Sequence, residues 1–237
     1  NAESPPLLFP AVKRILPLPA IFGGCLILLA VVSVIWFWSG TKTPARINAI
    51  PVLPLLPLTE GENNKSLGLG LTDTLIMKIG GLRQITVRPI SAVTPFADAP
   101  QDSLEIGRRL KVDAVLEGTI QQADGRVRIN VRLLRIDGGE QIWAGNVEEE
   151  STKVFDLQDR LTEQTAQALK LKLGASETEQ ITKRFTNNPE ALDAYQKGRY
   201  FSNRRTVGDL KTAIGYFKAA IGKDPNYALA YAALADA

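Results

Sequence analysis

Histidine is absent from this chain and cysteine occurs once, at Cys25, so the side chains left to do chemistry are carboxylates, lysines, arginines and hydroxyls. That inventory excludes a Ser-His-Asp triad, a Cys-His pair, any His or Cys metal cluster and an intrachain disulfide. The spacing of the carboxylates shows no paired acid and base, so the expectation is no enzyme, no catalytic residue, no metal and no cofactor. Two patterns nevertheless invite a functional reading. Leu67-Gly68-Leu69-Gly70 has the glycine density of a phosphate loop, but it lacks the third glycine, the lysine and the strand–loop–helix setting. It is read as a flexible helix start. Arg126, Arg128 and Arg132 share one face of a strand and would suit an anion or polysaccharide. Alternation alone places polar residues there, so a solvated sheet face with a Glu117–Arg132 ion pair is the preferred reading.

The elements that carry these residues follow from period and turn chemistry. Val112 to Gln122 and Arg126 to Ile136 are β-rich runs on either side of Asp124-Gly125, a strong two-residue turn signal. Pairing Ala123 with Arg126 puts Leu116 opposite Leu133, Gly118 opposite Val131 and Ile120 opposite Ile129, so the turn and the apolar pattern agree. Upstream, Ile47 to Leu58 reads as a strand whose Pro51, Pro54 and Pro57 argue for an edge. Leu67, Leu71, Leu75 and Ile79 recur every four residues, with Gly80-Gly81 as the stop. Ile85 to Arg88 is a short strand closed by Pro89, and Asp102 with Glu105 forms a capping box for a helix through Leu110. Asp137-Gly138-Gly139 turns into a strand from Glu140 to Val147, in which Trp143 is a packing residue and Glu148-Glu149-Glu150 guards the edge. A helix from Val154 to Leu173 follows. The fold class is α+β, with helices packed on a mixed, mostly antiparallel sheet over residues 47–175.

At 45% hydrophobic and 22% charged residues over 237 positions, the chain is globular material rather than a disordered tail. Its net charge of +3 comprises +1 from Lys13 and Arg14 against Glu3, leaving +2 from Lys42 onward, too sparse for nonspecific nucleic-acid binding. No charge stands between Arg14 and Lys42. Residues 20–38 are therefore read as a transmembrane helix, which at 1.5 Å per residue spans roughly 28 Å, with Ile21, Leu28, Val32, Trp36 and Trp38 as anchor residues. A cleavable signal is disfavoured by the bulky Val34 to Trp38, and a lipidated Cys25 by the apolar run that follows it. A polar, proline-rich segment (1–19) precedes this span and a linker (39–46) follows it. Lys13 and Arg14 balance Lys42 and Arg46, so charge does not set orientation. Asn1 in place of methionine implies a start further upstream.

From Pro189 the period becomes helical throughout. Ala213, Phe217, Ala220 and Pro225, with Gly198 and Phe201, fall at the intervals of a tetratricopeptide repeat over residues 187–237. The interval from Gly198 to Ala213 is about three residues longer than the consensus, which places an extended turn around Ser202 to Thr206. Repeats of this kind bind proteins through first-helix residues, here Tyr195 and Arg199, and they need neighbours to bury their faces, so continuation beyond Ala237 is expected.

Taken together, Leu67-Gly-Leu-Gly-Leu-Thr-Asp-Thr-Leu-Ile76, Ile85 to Val93, Ile106 to Gly118, Gly198-Arg-Tyr-Phe201 and Asp224 to Tyr231 resemble the CadC-like membrane-bound transcriptional regulators, with a TolB-like or FlgO-like domain followed by tetratricopeptide repeats. Val147-Glu148 departs from an aromatic-Asp pair common in that family. The resemblance implies the membrane anchor and sensor part of a bacterial one-component regulator, single-pass in the inner membrane with residues after the anchor extracytoplasmic. It further implies protein partners through the repeats, and DNA contacted only by an upstream winged-helix domain not in this sequence. A receptor-like serine/threonine kinase carrying the same module, and an envelope scaffold without output domain, are the competing readings.

Overall fold

Three prolines decide how the chain enters the sheet. A computed structural model describes residues 46–96, 102–171 and 173–237, and within it the expected strand at 47–58 is two short strands, Ala49–Ile50 (β1) and Leu56–Pro57 (β2). Between them the amide of Leu53 donates to Leu116 O at 2.8 Å, and past β2 that of Leu58 donates to Ile120 O at 2.8 Å. Pro51, Pro54 and Pro57 have no N–H to offer a second neighbour, so β2 is an edge. The helix Glu62–Gly80 (α1) connects to Thr86–Val87 (β3), which runs parallel to β1. A single helical turn, Ile90–Val93 (α2), and the helix Ser103–Leu110 (α3) follow. Asp102 caps α3, its carboxylate accepting from the Leu104 amide at 2.9 Å, which is the N-cap half of the expected capping box.

The hairpin forms as its turn dictates. Asp124 and Gly125 have φ of 52° and 72°, the left-handed pair required by a two-residue turn. Ala114–Ala123 (β4) and Arg126–Arg135 (β5) pair with Leu116 opposite Leu133, Glu117 opposite Arg132 and Ala123 opposite Arg126. Gln141–Glu150 (β6) completes the sheet in the order β2-β4-β5-β6, antiparallel except for the parallel β2–β4 pair. The acidic run does not end β6. Glu148 lies inside the strand because Arg126 and Arg128 neutralise it at 2.6 and 2.9 Å, and Glu149 pairs with Arg160.

Helices Val154–Ala168 (α4) and Ala175–Thr182 (α5) come next. The expected continuation of α4 to Leu173 is corrected: Lys170 adopts φ 53°, and the amide of Leu171 folds back onto Ala166 O at 3.1 Å, closing the helix without a glycine. The chain ends in Pro189–Arg204 (α6), Val207–Lys223 (α7) and Ala228–Asp236 (α8). The extended turn expected at Ser202 to Thr206 is likewise corrected, because the extra residues lengthen α6 and leave only Arg205 and Thr206 between the helices.

Residues 47–237 form one compact unit with two separate apolar clusters. One joins Leu71, Leu75 and Ile79 of α1 to Leu116, Ile120, Ile129 and Leu133 of the sheet and Leu157 and Leu161 of α4. The other holds Ala191, Tyr195, Ala213, Phe217, Ala220 and Tyr227 between α6, α7 and α8. The expected fold and inner-membrane placement are corrected in one respect. Among the described residues the chain is mixed α+β with eight helices, and no helix there is long and apolar enough to cross a membrane. Residues 20–38, with Ile21, Leu28, Val32, Trp36 and Trp38, lie outside the described residues. The last three helices are one hairpin plus a further helix. The expected tetratricopeptide repeat over residues 187–237 is not shown by these helices, and α6 packs on α1, where Arg199 meets Asp73.

Candidate functional site

The polar face of the sheet opens into a groove of about 950 Å³. Its floor is a set of cross-strand pairs created by the register. On β4 and β5, Glu117 stands opposite Arg132, and its carboxylate accepts from the Arg132 guanidinium and from the Ser103 hydroxyl at the start of α3. One pair further along, Asn130 on β5 faces Asn146 on β6, and the Asn146 amide donates to Asn130 Oδ1 at 2.8 Å. Thr119 continues this row toward the β2 edge, where it faces Leu56. Both asparagines are exposed.

The walls are apolar. Leu104 on α3 and Leu53 beside β4 flank the floor, and Phe96 stands at one side with the Arg109 guanidinium 5.3 Å from its ring centre. Leu56 and Leu58 at the β2 edge are 46% and 60% exposed. Charges at this face are engaged with one another: Glu117 with Arg132, and Glu148 with Arg126 and Arg128. Hydrogen bonds from Arg128 and then Arg126 hold the Glu148 carboxyl below its ordinary range. The arginine row is thus a set of cross-strand ion pairs, and the surface it leaves offers amide hydrogen bonds beside apolar walls. Such chemistry suits a neutral ligand with alternating polar and apolar groups. Among the described residues no group of three His, Cys, Asp or Glu side chains is placed to hold a metal.

The glycines of Leu67-Gly68-Leu69-Gly70 lie inside α1 rather than at its start, and each permits a close approach on a different side. A Cβ on Gly68 would stand 2.6 Å from Leu55 O, and one on Gly70 would stand 2.4 Å from Gln196 Cγ on α6. Close packing, not flexibility, explains them.

Tyr195 and Arg199 also face inward. Tyr195 is 6% exposed, with its ring centre 5.1 Å from that of Tyr227 and 6.0 Å from that of Phe217. Burial, reinforced by the nearby Asp73 charge, pushes its hydroxyl pKa up to about 12. Arg199 holds Asp73 of α1 through two hydrogen bonds, Nε to Oδ2 at 2.9 Å and Nη2 to Oδ1 at 3.2 Å. Burial opposes the charge on Arg199, yet the Asp73 carboxylate outweighs it and raises the guanidinium pKa. Arg199 ties α6 to α1, and Tyr195 lies in the apolar cluster of α6 to α8. Asp73 carried no signal in the sequence beyond a lone acid on a helix. Its role depends on a contact 126 residues away.

Comparison with known proteins finds its family match over this sheet. Residues 49–164 match the family model of the HilA/YgeH-like transcriptional regulator, second domain, from β1 into α4. A protein of Rhizobium meliloti (strain 1021) named "Putative adenylate cyclase 3" is 25% identical over 214 residues, covering 84% of this chain and 36% of its own. The chain thus spans about a third of the length of the curated relative it matches. Similar solved structures include lipoprotein GNA1162 from Neisseria meningitidis, at 18% identity and TM-score 0.39 over 51% of this chain and 99% of that one. The LpoB C-terminal domain from Salmonella enterica is 18% identical at TM-score 0.36, covering 46% and 87%. TolB from Acinetobacter baumannii is 11% identical at TM-score 0.36, covering 56% and 31%.

Proposed function

We propose that this chain is the signal-receiving, protein-binding part of a bacterial one-component transcriptional regulator whose DNA-binding domain lies outside these residues. The observation that carries the reading is the match of residues 49–164 to the second domain of a regulator family. The groove supports it by supplying a place to receive a signal: a neutral floor of Asn130, Asn146 and Thr119 between Leu53, Leu104 and Phe96. An extended polypeptide segment without net charge fits that chemistry, since its backbone amides meet the asparagines and its apolar side chains meet the walls. Catalysis has no part in this reading, and α6 to α8 extend the protein-binding surface.

The test is a transcript profile of the source strain. Deleting the gene is expected to change a defined set of transcripts. Asn130→Lys with Asn146→Lys, at unchanged protein level, is expected to change the same set. If deletion leaves every transcript unchanged, the regulator reading fails. If only the groove variant is silent, the groove is not the receiving site. A second reading has one observation behind it, the name of the Rhizobium relative, under which the output is nucleotide cyclisation by a domain outside these residues. A fall in cellular cyclic AMP on deletion, with no promoter bound by the protein, favours it.

A further inference from the structure

The two apolar clusters meet across a seam rich in polar groups, where Tyr200 of α6 also packs against the sheet cluster. On α1, Leu71, Leu75 and Ile79 face the sheet, while the positions turned toward α6 include Gly70 and Asp73. Opposite them on α6 stand Gln196 and Arg199. Asp73 is almost wholly buried, and Arg199 forms an ion pair with it across the seam. The Gln196 amide nitrogen is buried with no hydrogen-bond partner, although a buried donor normally finds one. A second polar tie lies nearby, where Lys78 of α1 meets Asp159 of α4 at 2.8 Å, and Asp159 also holds Arg184 at 2.7 Å on the chain leading into α6. An apolar core cut by chance would not present glycine, acid and amide on its inner faces. Contacts of this composition are those of bodies that separate.

We propose that α6 to α8 dock on α1 as a reversible latch, closed by the Asp73–Arg199 pair and able to open while both apolar cores stay folded. Each side keeps its own core when the seam parts, and water then satisfies Asp73, Arg199 and Gln196. Opening frees Arg199 together with the polar face of α1, so the latch links what α6 to α8 contact to the helix that lies against the sheet. The inference is independent of the regulator reading, because its test reads a distance and not a transcript.

The test uses the full 237-residue chain with Cys25→Ser and spin labels at Glu140→Cys and Lys218→Cys, two exposed sites on the two bodies. Pulsed electron resonance gives the distance distribution, and circular dichroism reports helix content. Two substitutions attack the seam by different routes. Asp73→Asn removes the charge, and Gly70→Leu inserts a side chain where a Cβ already falls 2.4 Å from Gln196. The latch predicts a longer-distance population that rises in each variant, by about tenfold or more in Asp73→Asn from loss of the charge-assisted bidentate contact, with helix content unchanged. A single unchanged distance in both variants overturns the proposal. A longer distance that grows only in step with lost helix also overturns it, because the seam is then part of one cooperative core.

Discussion

Asp73 shows how much one side chain can depend on a distant partner. Its carboxylate is desolvated between α1 and α6 and is answered by Arg199 through two hydrogen bonds. Arg199→Ala leaves that charge without its partner, and the longer-distance population is expected to rise about tenfold or more, as in Asp73→Asn, with helix content unchanged. Arg199→Lys reverses less than half of that rise, because an ammonium cannot reproduce the two-pronged contact. Gly198 is constrained by shape instead. A Cβ there would lie 2.4 Å from the Phe217 ring, so Gly198→Ala is expected to cost about 1–3 kcal/mol by overpacking, read as a lower thermal midpoint. Glu148 gives the pH dependence. Its folded pKa lies below the ordinary value of 4.5, so its contribution is present above that value and lost as pH falls through the folded one. Glu148→Gln removes the contribution, and the drop in thermal midpoint between about pH 5.5 and about pH 3 is expected to be smaller in this variant than in the native chain.

Elements were legible where local chemistry and long-range pattern agree, and illegible where a contact made elsewhere decides. The β4–β5 register follows from Asp124-Gly125 and from alternating apolar residues, and the structure reproduces it pair by pair, including Glu117 opposite Arg132. The Asn130–Asn146 half of the groove floor was hidden, because the β5–β6 register shifts between Leu133 and Leu134, and no turn signal encodes that shift. The wall that α3 contributes depends on Ser103 reaching Glu117, which spacing does not reveal. The end of α4 escaped for a different reason: Lys170 takes a left-handed conformation that sequence rules assign to glycine or asparagine. Lys170→Gly at this exposed position is therefore expected to raise stability by about 1 kcal/mol through relief of that strain. An unchanged or lower thermal midpoint would show that the lysine side chain, rather than the backbone angle, sets the helix end.

At the scale of the whole molecule, a mixed α+β body and a helical hairpin with its own aromatic core lie side by side in residues 47–237. The body coincides with the region that matches a regulator's second domain. The same chain covers only a third of a relative named for a different output. The receiving role proposed for the groove rests on the first of these matches. The most direct test is genome-wide occupancy of the protein in its source strain, by crosslinking and sequencing of bound DNA. The account predicts enrichment at a small set of promoters, whose transcripts change when Asn130 and Asn146 are replaced by lysine. Absence of any enriched promoter, at normal protein level, would contradict it.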